Sequence, residues 1–257
     1  VLFAIEGVGE QTAAVQGGKA VTVFHIENVH LWDGVADPYL YSVTASLPDG
    51  DAVAVHFGCR KIDFKPDTGF WLNGRNVRLV GAARHQDRAG LGNALTAAEH
   101  EEDMQILRDM GANTVRLAHY QHAQYFYDLC DKYGLVAWAE IPYITEHMPE
   151  ATANTLSQME ELVLQNYNHP SIICWGLSNE ITVTTGVTED LTANHRLLND
   201  LCHRLDATRP TTMAHAFMLD PNDPFVQLPD ICSYNLYYGW YLGELQQNDE
   251  FFDTFHK

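Results

Sequence analysis

From residue 75 onward, short apolar runs alternate with stretches that have the periodicity of amphipathic helices. Strands buried on both faces of a parallel sheet have this near-continuous apolar character, and helices cover such sheets. The pattern therefore predicts a parallel α/β fold, either an open doubly wound sheet or a closed (β/α)8 barrel. The runs are RNVRLVGAA (75–83), NTVRLAHY (113–120), LVAWAEIP (135–142), SIICWGLSNE (171–180), TTMAHAF (211–217) and DICSYNLY (230–237).

The stretches between these runs carry helix signals. Thr96, followed three residues later by Glu99, is a capping box that opens the first helix, and Gly111 ends it. Gly134 ends the second helix in the same way. The spacing of the apolar residues predicts helices over 96–110, 122–133, 154–167, 189–206 and 243–256.

Polar side chains recur where the apolar runs end. In a barrel the carboxyl ends of all strands lie around one rim, where active sites are built. The first run leads into ARHQDRAG, which is not the G-x-G-x-x-G turn of a dinucleotide site, and this disfavours an NAD-type oxidoreductase. We therefore favour the barrel, with a rim formed by Arg84, His85, His119, Tyr120, Glu140, Asn179, Glu180, His215, Asn235 and Tyr237.

The sequence accounts for six strands, whereas a complete barrel has eight. We expect a TIM barrel truncated after about six βα units, whose first and last strands have unpaired edges. Unpaired apolar edges promote association. The sequence thus predicts either a longer polypeptide or a partner chain such as a second copy.

The first part of the chain has a different character. The runs AVTVFHIENV (20–29) and YLYSVTASL (39–47) are rich in β-branched and aromatic residues, and turn residues separate them. The character changes near Lys65–Gly69. We predict a partial β-sandwich domain over residues 1–66 and the barrel domain over 67–257.

Composition limits the function. The formal net charge of −19 argues against a nucleic-acid partner and favours neutral substrates. The sequence has no 18-residue apolar run, so we expect no membrane span. The five cysteines lack metal-site spacing and are odd in number, which favours reduced, buried thiols in a cytoplasmic protein.

The stretch CWGLSNE (174–180) contains the strongest candidate for catalysis. Its apolar residues anchor Glu180 at the end of the fourth run. A carboxyl group in a partly dry pocket can keep a proton near neutral pH and act as a general acid. Asn179 could hydrogen-bond a substrate hydroxyl. The alternative is that the Asn-Glu pair only caps the following helix.

Other polar residues have both functional and structural interpretations. The histidines at 85, 119, 147 and 215 have no H-x-x-x-H spacing, so sugar contacts or core positions are favoured over metal ligation. The aromatic stretch SYNLYYGWY (233–241), with Tyr237 and Trp240, could be a stacking platform for a sugar or could fill the core. Glu140 could be a second reactive carboxylate, or it could pair with Arg84 or Arg116.

Four segments together resemble glycoside hydrolase family 2, which includes β-galactosidases, β-glucuronidases and β-mannosidases. They are VRLVGAARHQD (77–87), TVRLAHYQHAQYFYDLCDKYGLVAWAEIP (114–142), NHPSIICWGLSNE (168–180) and SYNLYYGWY (233–241). LWDGVADPYLYSVTASL (31–47) and FGCRKIDF (57–64) resemble the end of the immunoglobulin-like domain that precedes the barrel in that family. The order NHPSI…W…NE is highly specific.

The resemblance implies a retaining mechanism in which Glu180 is the acid/base. It implies sugar contacts for Asn179, His85 and His119. Arg84 resembles the arginine that orients the nucleophile, and Tyr237 resembles the tyrosine that contacts the nucleophile. The family's nucleophile follows strand seven in an S/T-E-Y/F-G pattern, which this sequence lacks. We therefore expect the nucleophile outside this chain and the chain alone to be inactive; a non-catalytic sugar-binding module is the alternative.

Two features depart from the family. Ala83 stands where Asn usually precedes the Arg-His pair. His147 directly follows Glu146, whereas magnesium-dependent members have an E-x-H pair. We therefore predict no metal and no cofactor. For the sugar, likeness to bacterial β-galactosidases and the neutral-substrate argument favour β-galactosides, with β-glucuronides as the alternative.

Overall fold

The computed structural model describes residues 1–255, and its first layer is a four-stranded antiparallel sheet. Its spatial order is β2-β1-β3-β4, with β1 (Leu2–Ile5), β2 (Gly9–Thr12), β3 (Tyr41–Ser46) and β4 (Ala52–Phe57). This sheet matches the expected β-sandwich beginning. The run over 20–29, predicted as β-structure, belongs to no strand, and Val21 and Val23 are exposed. An alternating pattern forms a strand only where a neighbouring strand can accept its hydrogen bonds, and the described chain offers this run none.

A second antiparallel sheet connects this layer to the rest of the chain. It consists of β5 (Ile62–Lys65), β6 (Gly69–Leu72) and β7 (Arg75–Asn76). The first predicted strand, 75–83, is therefore divided: its start pairs with β6 and only its end enters the parallel sheet. The β5–β6 hairpin crosses residue 66, so the division into 1–66 and 67–257 stays a prediction.

The small sheet packs against the amino ends of the parallel strands. Phe70 and Leu72 share one buried cluster with Trp32, Val136 and Ile173. The Trp32 indole N–H also donates to the backbone oxygen of Asp131 at 2.9 Å. This end of the parallel sheet is thereby closed by apolar packing, which leaves the opposite end for a site.

Six parallel strands form the main sheet in the order of the sequence. They are β8 (Gly81–Arg84), β9 (Thr114–Leu117), β10 (Val136–Glu140), β11 (Ile172–Asn179), β12 (Thr211–Ala216) and β13 (Ile231–Asn235). An open doubly wound sheet reverses its strand order at a switch point, whereas successive barrel strands are neighbours. The described part is therefore a truncated (β/α)8 barrel, as predicted.

Within residues 1–255, five α-helices cover the outer face of this sheet. They are α1 (Ala97–Asp109), α2 (Gln124–Tyr133), α3 (Thr152–Asn166), α4 (Glu189–Leu205) and α5 (Gln247–Phe255). The predicted end of the last helix, residue 256, lies outside the described residues. The capping box is present, since the Thr96 hydroxyl accepts from Ala98 N and the Thr96 N–H donates to Glu99. Across residues 1–255, no helix combines the length and apolarity needed to cross a bilayer.

Strand β11 is buried along its whole length. Trp175 and Leu177 join the main core, where α3 contributes Met159 and α4 contributes Leu198. The Trp175 indole N–H donates to Asp206 at 3.0 Å. The segment that ends in Asn179 and Glu180 is therefore held rigidly from the outside of the barrel.

Two glycines that follow helices provide a matched test of the contact between the amino-terminal segment and the barrel. Gly111 and Gly134 have similar left-handed φ values, +74° and +76°. A Cβ at Gly111 would meet nothing within 4 Å, whereas one at Gly134 would lie 2.2 Å from the Gly34 backbone. We expect Gly111→Ala to lower the free energy of unfolding by about 1–2 kcal/mol through backbone strain, and Gly134→Ala by about 1–3 kcal/mol more through overpacking.

Equilibrium urea unfolding of both variants and of the unmodified protein measures the difference. Equal losses for the two alanines would show that the Gly34 and Gly134 loops do not stay in contact.

Candidate active site

Glu180 lies immediately beyond β11 with a backbone φ of +46°. Left-handed backbone is rare for residues other than glycine, costs of order 1–3 kcal/mol, and clusters at functional sites. Three backbone bonds hold this turn. Glu180 N–H donates to Ala214 O at 2.8 Å, Asn179 N–H donates to Tyr143 O at 2.9 Å, and Asn179 O accepts from Thr145 N–H at 3.1 Å. The neighbours on both sides of β11 thus impose the conformation of the candidate acid.

The Glu180 carboxyl is half-buried and hydrogen-bonded within the rim. The Tyr237 hydroxyl donates to Glu180 Oε1 at 2.6 Å. Burial and the neighbouring Glu180 carboxylate raise the pKa of Tyr237 to about 12, so this hydroxyl keeps its proton at neutral pH. The structure therefore brings Glu180 and Tyr237 together at the rim.

Arg116 is the centre of the polar network at the rim. It donates to both oxygens of Glu140, at 3.0 and 3.1 Å, and Glu140 is completely buried. It also donates to Asn179 Oδ1 at 2.7 Å and to Asn235 Oδ1 at 2.9 Å. The geometry favours an ion-pair role for Glu140 over a reactive one, with Arg116 as its partner.

Asn179 is oriented by two donors. Its Oδ1 accepts from Arg116 and, at 2.9 Å, from Asn235 Nδ2. Both contacts use the oxygen, so the Nδ2 hydrogens of Asn179 are available for a substrate hydroxyl.

Two histidines lie on the same side of the rim. His119 Nδ1 is 2.5 Å from Glu140 Oε1, and a carboxylate accepts, so this nitrogen donates. The His85 ring lies 5.1 Å from the His119 ring in an edge-to-face arrangement. His119 Nε2 is therefore left as the polar atom that can contact a substrate.

Arg84 does not lie at the rim, which corrects the sequence-based prediction. Its guanidinium is buried on the helix side of the sheet, where it donates to Asp103 at 2.7 Å and lies 3.9 Å above the Phe126 ring. It also contacts the Nδ1 atoms of His100 and His122, both at 3.0 Å.

Strand register explains the correction. Arg84 of β8 is paired with Leu117, whose side chain belongs to the core between sheet and helices, and Ala83 is paired with Arg116. Side chains alternate between the two faces of a strand. Arg84 therefore faces the helices and Arg116 faces the barrel interior. Arg116 was recognisable in the sequence as a cation between two core residues, Val115 and Leu117.

The Trp240 residue is 79% exposed, and its backbone N–H donates to the backbone oxygen of Tyr237 at 3.0 Å. Its ring stacks on Tyr241 at 4.9 Å, and the Tyr241 ring lies 5.2 Å from that of Tyr237. The three rings form a series that leads from the partner of Glu180 towards solvent. A substrate contact for Trp240 stays a prediction.

The remaining histidine candidates belong to the core between sheet and helices. His215 lies beside Phe225 and Tyr234, and burial lowers its pKa to about 4. His147 Nδ1 is 2.5 Å from the Tyr143 hydroxyl, whereas the adjacent Glu146 is exposed. Within residues 1–255 no three His, Cys, Asp or Glu side chains are arranged to hold a metal ion.

Two family models match this chain. "Glycosyl hydrolases family 2, TIM barrel domain" matches residues 65–257, and "Glycosyl hydrolases family 2" matches residues 4–60. The chain belongs to glycosyl hydrolase family 2.

Relatives within family 2 carry two activity names. A β-glucuronidase of Bacteroides fragilis is 42% identical over 245 residues, which cover 90% of this chain and 34% of the relative. A β-galactosidase of Thermoanaerobacterium thermosulfurigenes is 36% identical over 203 residues, which cover 75% of this chain and 27% of the relative. Among solved structures, the FMN-binding β-glucuronidase from Facaelibacterium prausnitzii L2-6 has a TM-score of 0.91 at 40% identity, covering 99% of this chain and 41% of that one. The chain therefore spans well under half the length of these relatives.

The buried Arg116–Glu140 pair leads to a prediction about the free energy of unfolding of two variants. Removing one member of a buried ion pair leaves an uncompensated charge and costs about 3–5 kcal/mol. We expect Arg116→Met to lower the free energy of unfolding by that amount, because the Glu140 side chain is 1% exposed. The double variant Arg116→Met/Glu140→Gln should recover part of the loss, since the buried charge is gone. Urea unfolding of both variants measures this, and a double variant no more stable than Arg116→Met would contradict it.

Proposed function

We propose that the protein containing this chain is a retaining β-glycosidase in which Glu180 is the acid/base. The observation that carries the proposal is the position of Glu180. Its carboxyl lies on a constrained left-handed turn at the barrel rim, where Tyr237 donates to it at 2.6 Å. Asn179, Arg116 and His119 form a polar network beside it. Membership of glycosyl hydrolase family 2 supports the same reaction class.

Retaining hydrolysis requires two carboxyl groups about 5–5.5 Å apart. In the first step, protonated Glu180 gives its proton to the glycosidic oxygen while a second carboxylate attacks the anomeric carbon. In the second step, ionised Glu180 takes a proton from the water that releases the sugar. The Tyr237 hydrogen bond suits the ionised state, because the hydroxyl donates to Oε1.

Glu140 is not the second carboxylate of this proposal. It is completely buried, and Arg116 and His119 occupy both of its oxygens. A nucleophile must reach the anomeric carbon of a bound sugar, and a carboxylate held in this way cannot. We propose that a glutamate outside this chain supplies the nucleophile.

The sugar subsite of this proposal uses the rim atoms that remain available. Asn179 Nδ2 and His119 Nε2 would contact sugar hydroxyls. The His85 ring lies beside that of His119 and would line the same side of the subsite. Trp240 and Tyr241 offer stacked aromatic faces, on which the CH faces of a sugar or a flat aglycone can pack.

For the sugar, we propose a β-glucuronide as the first candidate. It rests on the relatives at 42% and 40% identity that are named β-glucuronidases. A β-galactoside, the sequence-based preference, is the second candidate. The relative at 36% identity that is named β-galactosidase favours it. The cation at the described rim, Arg116, also favours it, because its donors already bind Glu140 and the side-chain amides of Asn179 and Asn235. A uronate would need a cation from elsewhere in the protein.

A panel of nitrophenyl glycosides tests the proposed substrate. The full-length gene product should release nitrophenol from the β-D-glucuronide with the highest kcat/KM, with the β-D-galactoside and β-D-mannoside as comparisons. A higher kcat/KM on the galactoside would establish the second candidate. A full-length protein that cleaves none of them would overturn the glycosidase proposal.

The acid role of Glu180 predicts a dependence on the leaving group. Glu180→Gln in the full-length protein should slow a glycoside with a poor leaving group, such as methyl, by about 10²–10⁴-fold. The 2,4-dinitrophenyl glycoside should be slowed much less in its first step, because that leaving group needs no proton. Glu146→Gln, which changes an exposed carboxylate of the same end of the barrel, is the control and should leave both rates unchanged. Equal losses on both substrates for Glu180→Gln would count against the acid role.

A further inference from the structure

Ser178 immediately precedes Asn179 and Glu180 and points away from the rim. It is 2% exposed, and its hydroxyl lies 2.8 Å from His195 Nε2 on α4. His195 Nδ1 is 2.9 Å from the backbone oxygen of Leu191, so this nitrogen carries the proton. His195 Nε2 is then an acceptor, and the Ser178 hydroxyl donates to it.

His195 is itself fixed by its surroundings. The ring is completely buried, stacks on Tyr143 at 5.1 Å, and meets Phe225 edge-on at 4.9 Å. Burial lowers the pKa of His195 to about 4, so the ring stays a neutral acceptor at physiological pH. The Tyr143 backbone oxygen also accepts from Asn179 N–H. One assembly of side chains therefore holds two consecutive residues, Ser178 and Asn179.

Ser178 lies at an interruption in the pairing register of β11. The pairing of β11 with β12 has an irregularity between Gly176 and Asn179, and the pairing of β11 with β10 ends at Gly176. Ser178 consequently has no register partner in either ladder. Two residues later the chain adopts the left-handed conformation of Glu180. The side-chain hydrogen bond of Ser178 thus adds to the backbone bonds of Asn179 and Glu180 just before the turn begins.

We propose that Ser178 and His195 are positioning residues that set the direction of the Glu180 carboxyl by anchoring the chain to α4 just before the turn. This inference rests on the proposed function, because it assigns the hydrogen bond a role in proton donation by Glu180. Neither residue touches the substrate. The network of Arg116 acts on β11 from the barrel interior, and this bond acts on it from the helix side.

The chain offers a matched control for the test. Ser171 lies just before β11, is fully buried, and its hydroxyl has no partner among the described residues. Ser178→Ala and Ser171→Ala remove the same atom from the same segment, but only the first breaks a hydrogen bond.

We expect Ser178→Ala in the full-length protein to lower kcat on the methyl glycoside about tenfold, the scale of one misplaced hydrogen bond. KM should stay within about twofold, because the sugar contacts remain. The first-step rate on the 2,4-dinitrophenyl glycoside, measured as kcat/KM, should change less, since that leaving group needs no proton. Ser171→Ala should match the unmodified enzyme on both substrates.

A second pair of variants keeps the test decisive if Ser178→Ala folds poorly. His195→Phe preserves the stacked ring but removes the acceptor, whereas His195→Gln keeps an acceptor for the Ser178 hydroxyl. The positioning role predicts that His195→Gln retains more of the methyl glycoside rate than His195→Phe. It also predicts that adding Ser178→Ala to His195→Phe causes little further loss.

The outcomes separate the two proposals. An unmodified full-length protein without glycosidase activity overturns the proposed function. If the unmodified enzyme is active, two results for Ser178→Ala overturn the positioning role alone. One is a leaving-group dependence equal to that of the unmodified enzyme, and the other is an equal loss of rate on both glycosides. The same holds if Ser171→Ala reproduces the defect.

Discussion

The site depends on one buried ion pair. Taking the Glu140 carboxylate out of water is costly unless a well-oriented partner compensates it, and Arg116 does so with two hydrogen bonds. The same guanidinium reaches Asn179 and Asn235, on β11 and β13. A single cation therefore links β9, β10, β11 and β13 across the barrel interior. The orientation of Asn179, and through Glu140 that of His119, follows from this pair.

Strand β11 is held from its outer side by a different kind of contact. Its apolar side chains pack against α3 and α4, and its buried polar side chains each have a specific partner, His195 for Ser178 and Asp206 for the Trp175 indole. Because its apolar side chains are packed and its buried polar groups are hydrogen-bonded, the strand can impose a left-handed backbone on Glu180. Catalytic geometry needs such support, because a reacting group must be held within a fraction of an ångström of its productive position.

The amino-terminal segment contributes to the same strand at its other end. Arg60, which follows β4, donates to the backbone oxygen of Ile172 at 2.6 Å, and Arg209 donates to the same oxygen at 2.8 Å. Trp32 and the β5–β6 hairpin close the cluster beneath it. The start of β11 is thus fixed by residues far away in sequence, and the sheets that precede the barrel are part of what positions the site.

The sequence by itself determined the parallel sheet, its six strands, the five helices and the position of Glu180, because these follow from local periodicity, capping residues and turn residues. It also indicated the family through contiguous motifs such as NHPSIICWGLSNE. It did not determine which of two arginines enters the rim. Arg84 and Arg116 occupy similar apolar strands, and only the pairing of Ala83 with Arg116 shows that Arg84 faces the helices. The division of the run over 75–83 and the hydrogen bond of Ser178 to His195 were likewise decided by tertiary structure. The physical reason is the same in each case: a side chain's face depends on strand register, and register is set by partners distant in sequence.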